Sequence, residues 1–121
     1  MIDRGRNHDV FVTAIEGGIS YWAAVEDYDW DRDDWFATIA ELEEIGDDED
    51  LPLQTINVWT IIEGRRNLAE TGMSQSQPGS TVYGLGAAIK AEDWDTFDDL
   101  LDADGADVIV QYGLFGKVVY G

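Results

Sequence analysis

The chain has 121 residues, no cysteine, and 26 acidic side chains against seven basic ones, giving a formal net charge of −19 at pH 7. That length suits a single domain, and 45% apolar residues, with five Trp, five Tyr and four Phe, carry too much hydrophobic surface for a disordered acidic chain. The missing cysteines exclude disulfides, thiolate metal sites and a cysteine nucleophile, while the opening MIDRGRNHDV and the lack of any run of roughly 18 apolar residues argue against a signal peptide or membrane span.

In chain order, Asp9 is expected to cap a short apolar helix, VFVTAIE, that stops at Gly17-Gly18, where the backbone can take positive φ. The aromatic and β-branched stretches from Ile19 to Tyr28 and from Trp35 to Ile45 predict two antiparallel strands, joined through the acidic loop DWDRDD. Pro52 bars an internal helix, but Thr55 or Asn57 can cap one over 56–70, with Val58, Ile61, Ile62 and Leu68 among its apolar positions. The polar stretch TGMSQSQPGS, 71–80, reads as a loop. Thr81–Lys90 reads as a helix despite Gly84 and Gly86, and WDTFDDLLD as a short acidic amphipathic turn. Asp104 or Asp107 can cap a last helix through VIVQYGLF, ended by Gly116 and followed by an extended Val118–Tyr120. Apolar on nearly every side, that helix should be central. The sum is an α+β fold, one domain over 1–121, with an antiparallel hairpin or small sheet packed on three to four helices.

Acid is concentrated in two segments. Residues 26–50 hold thirteen carboxylates and residues 92–107 hold eight. Asp above Glu on an ordinary core is the composition of proteins from salt-accumulating halophiles, in which molar salt shortens the Debye length to about 3 Å and quenches self-repulsion. The sharper reading gives the acid a target: Asp27, Asp29, Asp31, Asp33, Asp98, Asp99 and Asp102 would form a face for a cationic partner, or a mimic of nucleic acid that blocks a nucleic-acid-binding enzyme.

Chemistry finds little support. Counted from Asp27 as a calcium loop, position 6 is Arg32 where Gly is needed and position 12 is Thr38 where Glu is needed. The cluster Asp98, Asp99, Asp102, Asp104 and Asp107 reads as a solvated face with a helix cap. His8, the lone histidine, has no evident catalytic partner. No phosphate loop, dinucleotide fingerprint or nucleophile elbow is present, so no catalytic residue, metal or cofactor is assigned. A negative field around the single basic pair Arg65-Arg66 speaks against direct binding of nucleic acid.

Two segments look specified beyond burial. In EGGISYW, Glu16, the Gly17-Gly18 elbow, Tyr21 and Trp22 could wall a ligand cleft, although a helix end entering a strand calls for the same residues. In ADVIVQYGLFGKVVYG, Gln111 interrupts an apolar helix and must find partners, whether core groups or a ligand. These segments, Glu16, Gly17, Gly18, Tyr21 and Trp22 in one and Ala106, Asp107, Ile109, Val110, Gln111, Leu114, Phe115, Gly116 and Tyr120 in the other, resemble a family of small proteins encoded by phages and other mobile elements. The resemblance implies a viral or mobile-element product working in the host cytoplasm. It carries no established activity. The expected function is a non-enzymatic accessory binding protein, an inhibitor of host defence that engages a host protein or small ligand through Glu16, Gly17, Gly18, Tyr21, Trp22 and Gln111. A DNA mimic and a self-associating virion or scaffold component are the alternatives.

Overall fold

Residues 4–30, 34–42 and 53–120 are described by a computed structural model, and they form an α+β domain. The first helix, α1 (Arg4–Thr13), starts well before the expected cap and runs directly into a wider π-helical turn, Ala14–Gly18. Asp9 is thus an exposed residue inside α1. The polar RGRNHD stretch is helical because its side chains find tertiary partners: Arg6 pairs with Asp98, Asn7 accepts from Arg65, and His8 Nε2 lies 3.3 Å from the Trp30 carbonyl. Among the described glycines only Gly79 and Gly116 take positive φ, so Gly17 and Gly18 do not end the helix in the expected way.

Three antiparallel strands follow, β1 (Ala23–Asp29), β2 (Phe36–Glu41) and β3 (Gln54–Asn57), in that spatial order. Ile19–Trp22 are turn rather than strand, and Ile45 lies outside the described residues. The third strand was not expected, because QTIN offers one apolar residue; Ile56 alone is buried, opposite Ala37. Ala37, Ile39 and Ile56, all 0% exposed, mark the core face of the sheet. Along β1 the pairing jumps from Val25↔Ile39 to Asp27↔Thr38, leaving Glu26 as a bulged extra residue. Because side chains alternate along a strand, that extra residue reverses the faces: Tyr28 comes to the core side, and Asp27 and Asp29 turn outward.

Asn57 is the cap of α2 (Val58–Asn67), and it closes a reciprocal box: its Oδ1 accepts from the Trp59 and Thr60 amides while Thr60 Oγ1 accepts from the Asn57 amide. The helix continues as a π-helical turn, Leu68–Gly72, and a single turn α3 (Met73–Gln75), so the expected loop shrinks to 76–80. Ser80 caps α4 (Thr81–Lys90). Asp93 caps α5 (Trp94–Leu100), a true helix where a turn was expected, and bonding to the Thr96 hydroxyl and amide holds the Asp93 carboxyl below its ordinary pKa. The last helix, α6 (Ala103–Phe115), is capped by Asp102, not by Asp104 or Asp107, and ends on Gly116 in the left-handed conformation.

As expected, α6 is central, packing on α2, on α1 and its π-helical extension, and on α4. Its crossing with α2 is unusually close. A Cβ on Gly64 would overlap the Ile109 carbonyl oxygen, and one on Gly113 would overlap that of Thr60, so each helix presents a glycine to the other's backbone. Phe11, Trp30, Trp35 and His8 form the aromatic link from α1 to the sheet, with Phe11 and Trp35 centroids 4.5 Å apart. No described helix is long and apolar enough to cross a membrane.

Candidate functional site

The two terminal motifs meet, and the residue that joins them is Asp107. Gly18 fits tightly against α6, where a Cβ would lie 2.6 Å from the Ala103 carbonyl oxygen. The turn that follows delivers Tyr21 and Trp22 to the same helix. There the Asp107 carboxylate, 5% exposed, accepts from Tyr21 Oη at 2.5 Å, from Trp22 Nε1 at 2.7 Å and from Gln111 Nε2 at 2.9 Å. Three donors, two of them from one motif and one from the other, compensate the desolvation of a buried charge. Burial of the Tyr21 hydroxyl, followed by its bond to Asp107 and the nearby charge, pushes the Tyr21 pKa up to about 12.

Gln111 then passes the network on to the C-terminal segment. Its Oε1 accepts from the amides of Val119 and Tyr120, each at 2.8 Å, and its Nε2 donates to the Tyr120 carbonyl at 2.9 Å. One side-chain amide thus serves as acceptor for two consecutive backbone N–H groups and as donor to a backbone carbonyl. The Tyr120 ring stacks on Trp22 at 5.0 Å and 8°, and its hydroxyl donates to Glu41 Oε1 at 2.5 Å. Glu41 Oε2 in turn accepts from Gln54 Nε2 at 2.7 Å, so the tail is tied to β2 and β3.

These contacts place each expected ligand-binding residue. Glu16 and Gly17 are exposed, Gly18 is buried, and Tyr21 keeps about half its surface, 52%. Trp22 is 2% exposed and Gln111 0%, and the polar groups of both bind the chain itself. The network works chemically as a clamp on residues 119–120. The residue missed in sequence was Asp107, taken for part of a solvated acidic face; its position four residues before Gln111 on an apolar helix was the available signal.

Among the described residues, the aspartates expected to form one acidic face fall into two groups. Asp27 and Asp29 lie on the outer face of the sheet, in rows Asp27–Thr38–Thr55 and Asp29–Phe36–Asn57 set by the strand register. All six are exposed or half-buried. Asp98 and Asp99 are exposed on α5, Asp102 serves as the cap of α6, and Asp31 and Asp33 lie outside the described residues. Between the patches runs α1, whose Arg6 holds Asp98 while His8 faces the Trp30 carbonyl; positions two apart on a helix point to nearly opposite sides.

Beside the Asp29–Phe36–Asn57 row opens a groove of about 260 Å³, lined by Asp34, Trp35, Phe36, Asn57, Val58 and Trp59. Trp59 is the most exposed large apolar residue described, at 64%. A second hollow of about 430 Å³ lies between α4, the end of α6 and the tail, lined by Ser76, Val82, Tyr112, Lys117 and Val118. Among the described residues no three His, Asp or Glu side chains converge as a cation site requires. No protein-family model, curated protein or solved structure matches the chain.

Proposed function

We propose that this chain is a non-catalytic accessory binding protein that engages a basic segment of a partner protein through the outer face of its sheet. One observation carries the reading: the bulge at Glu26 turns Asp27 and Asp29 away from the core and aligns them with Thr38, Thr55, Phe36 and Asn57. A regular strand continuing from Val25 would send both carboxylates toward the core side, so the bulge is what makes the face acidic. Bulges also blunt an edge strand against pairing with further copies. Tyr28 and Trp30, 51% and 36% exposed and 5.0 Å apart, leave aromatic surface at the edge strand, with Tyr28 on the side opposite to Asp27 and Asp29.

The clamp around Asp107 supports the reading indirectly, since its polar groups are spent on the chain's own tail. A continuous nucleic-acid-like strip would have to join the sheet patch to the α5 patch across α1 and Arg6, which favours the sheet face alone. The likeness of the two terminal motifs to small proteins of phages and mobile elements sets this in the context of a host target, with a defence protein as the kind of partner.

The test is calorimetric titration with a basic peptide at physiological ionic strength. Asp27→Asn with Asp29→Asn should weaken binding about tenfold, whereas Asp98→Asn with Asp99→Asn should leave it within about twofold, as expected of remote surface charge. Equal losses in the two double variants would mean that net charge, not this face, attracts the peptide.

A further inference from the structure

The groove at the end of the acidic face has its own chemistry. It lies where β2 begins and β3 passes into α2, so that Phe36 and Asn57, paired across the strands, form its floor and Trp59, in the first turn of the helix, forms a wall. Asp34 supplies a carboxylate at the rim. A helix N-terminus would ordinarily invite an anion, but here the Asn57–Thr60 box already satisfies the Trp59 and Thr60 amides, and Asp34 repels negative charge. The lining has no basic side chain. What it offers is an indole left 64% exposed, a half-buried phenyl ring and an anionic oxygen.

We infer that this groove binds a guanidinium group, the side chain of an arginine on the basic partner, stacked on Trp59 and paired with Asp34. A planar, weakly hydrated cation suits an aromatic wall with a carboxylate at its edge better than the compact, strongly hydrated ammonium of lysine does. The volume of about 260 Å³ holds one such side chain and not a folded element. The inference rests on the sheet-face reading and names the anchor within it: aromatic contacts of this kind concentrate binding energy at a few residues, while the surrounding carboxylates steer the approach.

Two short peptides of equal charge, one of arginine and one of lysine, test it by titration at physiological ionic strength against wild type, Trp59→Ala and Asp34→Asn. Thermal unfolding checks that both variants remain folded. The wild type should prefer the arginine peptide; Trp59→Ala should lose about five- to tenfold in affinity for it and abolish the preference, and Asp34→Asn should weaken it severalfold. If Trp59→Ala binds the arginine peptide as tightly as wild type while Asp27→Asn with Asp29→Asn weakens it, the groove is not the anchor, although the sheet face stands. Equal weakening of both peptides by Trp59→Ala would overturn the choice of guanidinium. Failure of the wild type to bind either peptide would overturn groove and sheet-face reading together.

Discussion

Replacing Gln111 by leucine tests the claim that one buried amide holds the C-terminal segment. Leucine nearly matches glutamine in volume, so the change removes polarity with little cavity. Four well-formed bonds disappear: those from the Val119 and Tyr120 amides to Oε1, and those from Nε2 to Asp107 and the Tyr120 carbonyl. At about 1 kcal/mol net for each, the loss approaches about 4 kcal/mol. It is limited by escape, because two backbone amides left without an acceptor at roughly 1–3 kcal/mol apiece would sooner leave with the tail and be hydrated. The Tyr120 ring would then lift off Trp22 and its hydroxyl off Glu41. The expected result is a loss of about 3 kcal/mol in urea unfolding, with faster hydrogen exchange at Val119 and Tyr120 and a shifted Trp22 emission. A loss below about 1 kcal/mol with both amides still protected would refute the clamp.

Other consequences follow from the same geometry. Gly64→Ala gains roughly 1 kcal/mol of helix propensity but drives a methyl into the Ile109 carbonyl, so a net loss of about 2–3 kcal/mol is expected by denaturant titration. Asn57→Ala opens the capping box of α2 and should cost about 1 kcal/mol, read as a lower urea midpoint. The Tyr21 pKa, raised from 10.0 to about 12, means that the folded chain holds a proton the unfolded chain releases; this contribution is full below pH 10 and fades as pH rises toward 12. Tyr21→Phe should therefore flatten the stability profile across that window, with the phenolate absorbance of the wild type titrating late. Deletion of Glu26 should cost less than about 1 kcal/mol, as for a surface residue outside the ladder, and should leave Asp27 and Asp29 outward, checked by binding of the basic peptide. Adding KCl should raise the melting temperature, because a net charge of −19 repels itself less when screened. A flat response would show that the charges are already balanced within the fold.

The parts of the fold legible in sequence were those in which local signals agreed. Helix Thr81–Lys90 matched its expected bounds, and Asn57 had been one of two candidate caps for α2. The misses share a cause. α1 extends through RGRNHD because Arg6, Asn7 and His8 meet residues distant in the chain, and Asp102 rather than Asp104 caps α6 because the chain's approach, not residue type, selects among neighbouring aspartates. β3 was illegible because a four-residue strand with one buried side chain has no periodicity to read. The bulge was equally hidden: Asp27 and Asp29 look the same in sequence whether the strand is regular or has gained a residue, yet the face they occupy differs.

On the proposed reading, that difference puts the binding face away from the most recognisable residues. EGGISYW and ADVIVQYGLFGKVVYG are distinctive because they must satisfy one another: a carboxylate buried in α6 needs the donors of Tyr21, Trp22 and Gln111, and Gln111 needs the backbone of the tail. Removing Asp107 would strand the Trp22 indole N–H, and removing Gln111 would take the acceptor from the Val119 amide, which is enough to constrain residue type without invoking a ligand. On the outer sheet face, among the described residues, a buried network of this kind is missing: Asn57 caps α2 and Asp27 accepts from the Tyr28 amide, both at exposed or half-buried positions. Burial of apolar surface does not by itself call for Asp27 on an exposed face, Trp59 at 64% exposure or Asp34 beside it. Exposed carboxylates and rings whose placement burial alone does not explain, aligned by a bulge that reverses their direction, are what the proposed partner-binding reading rests on.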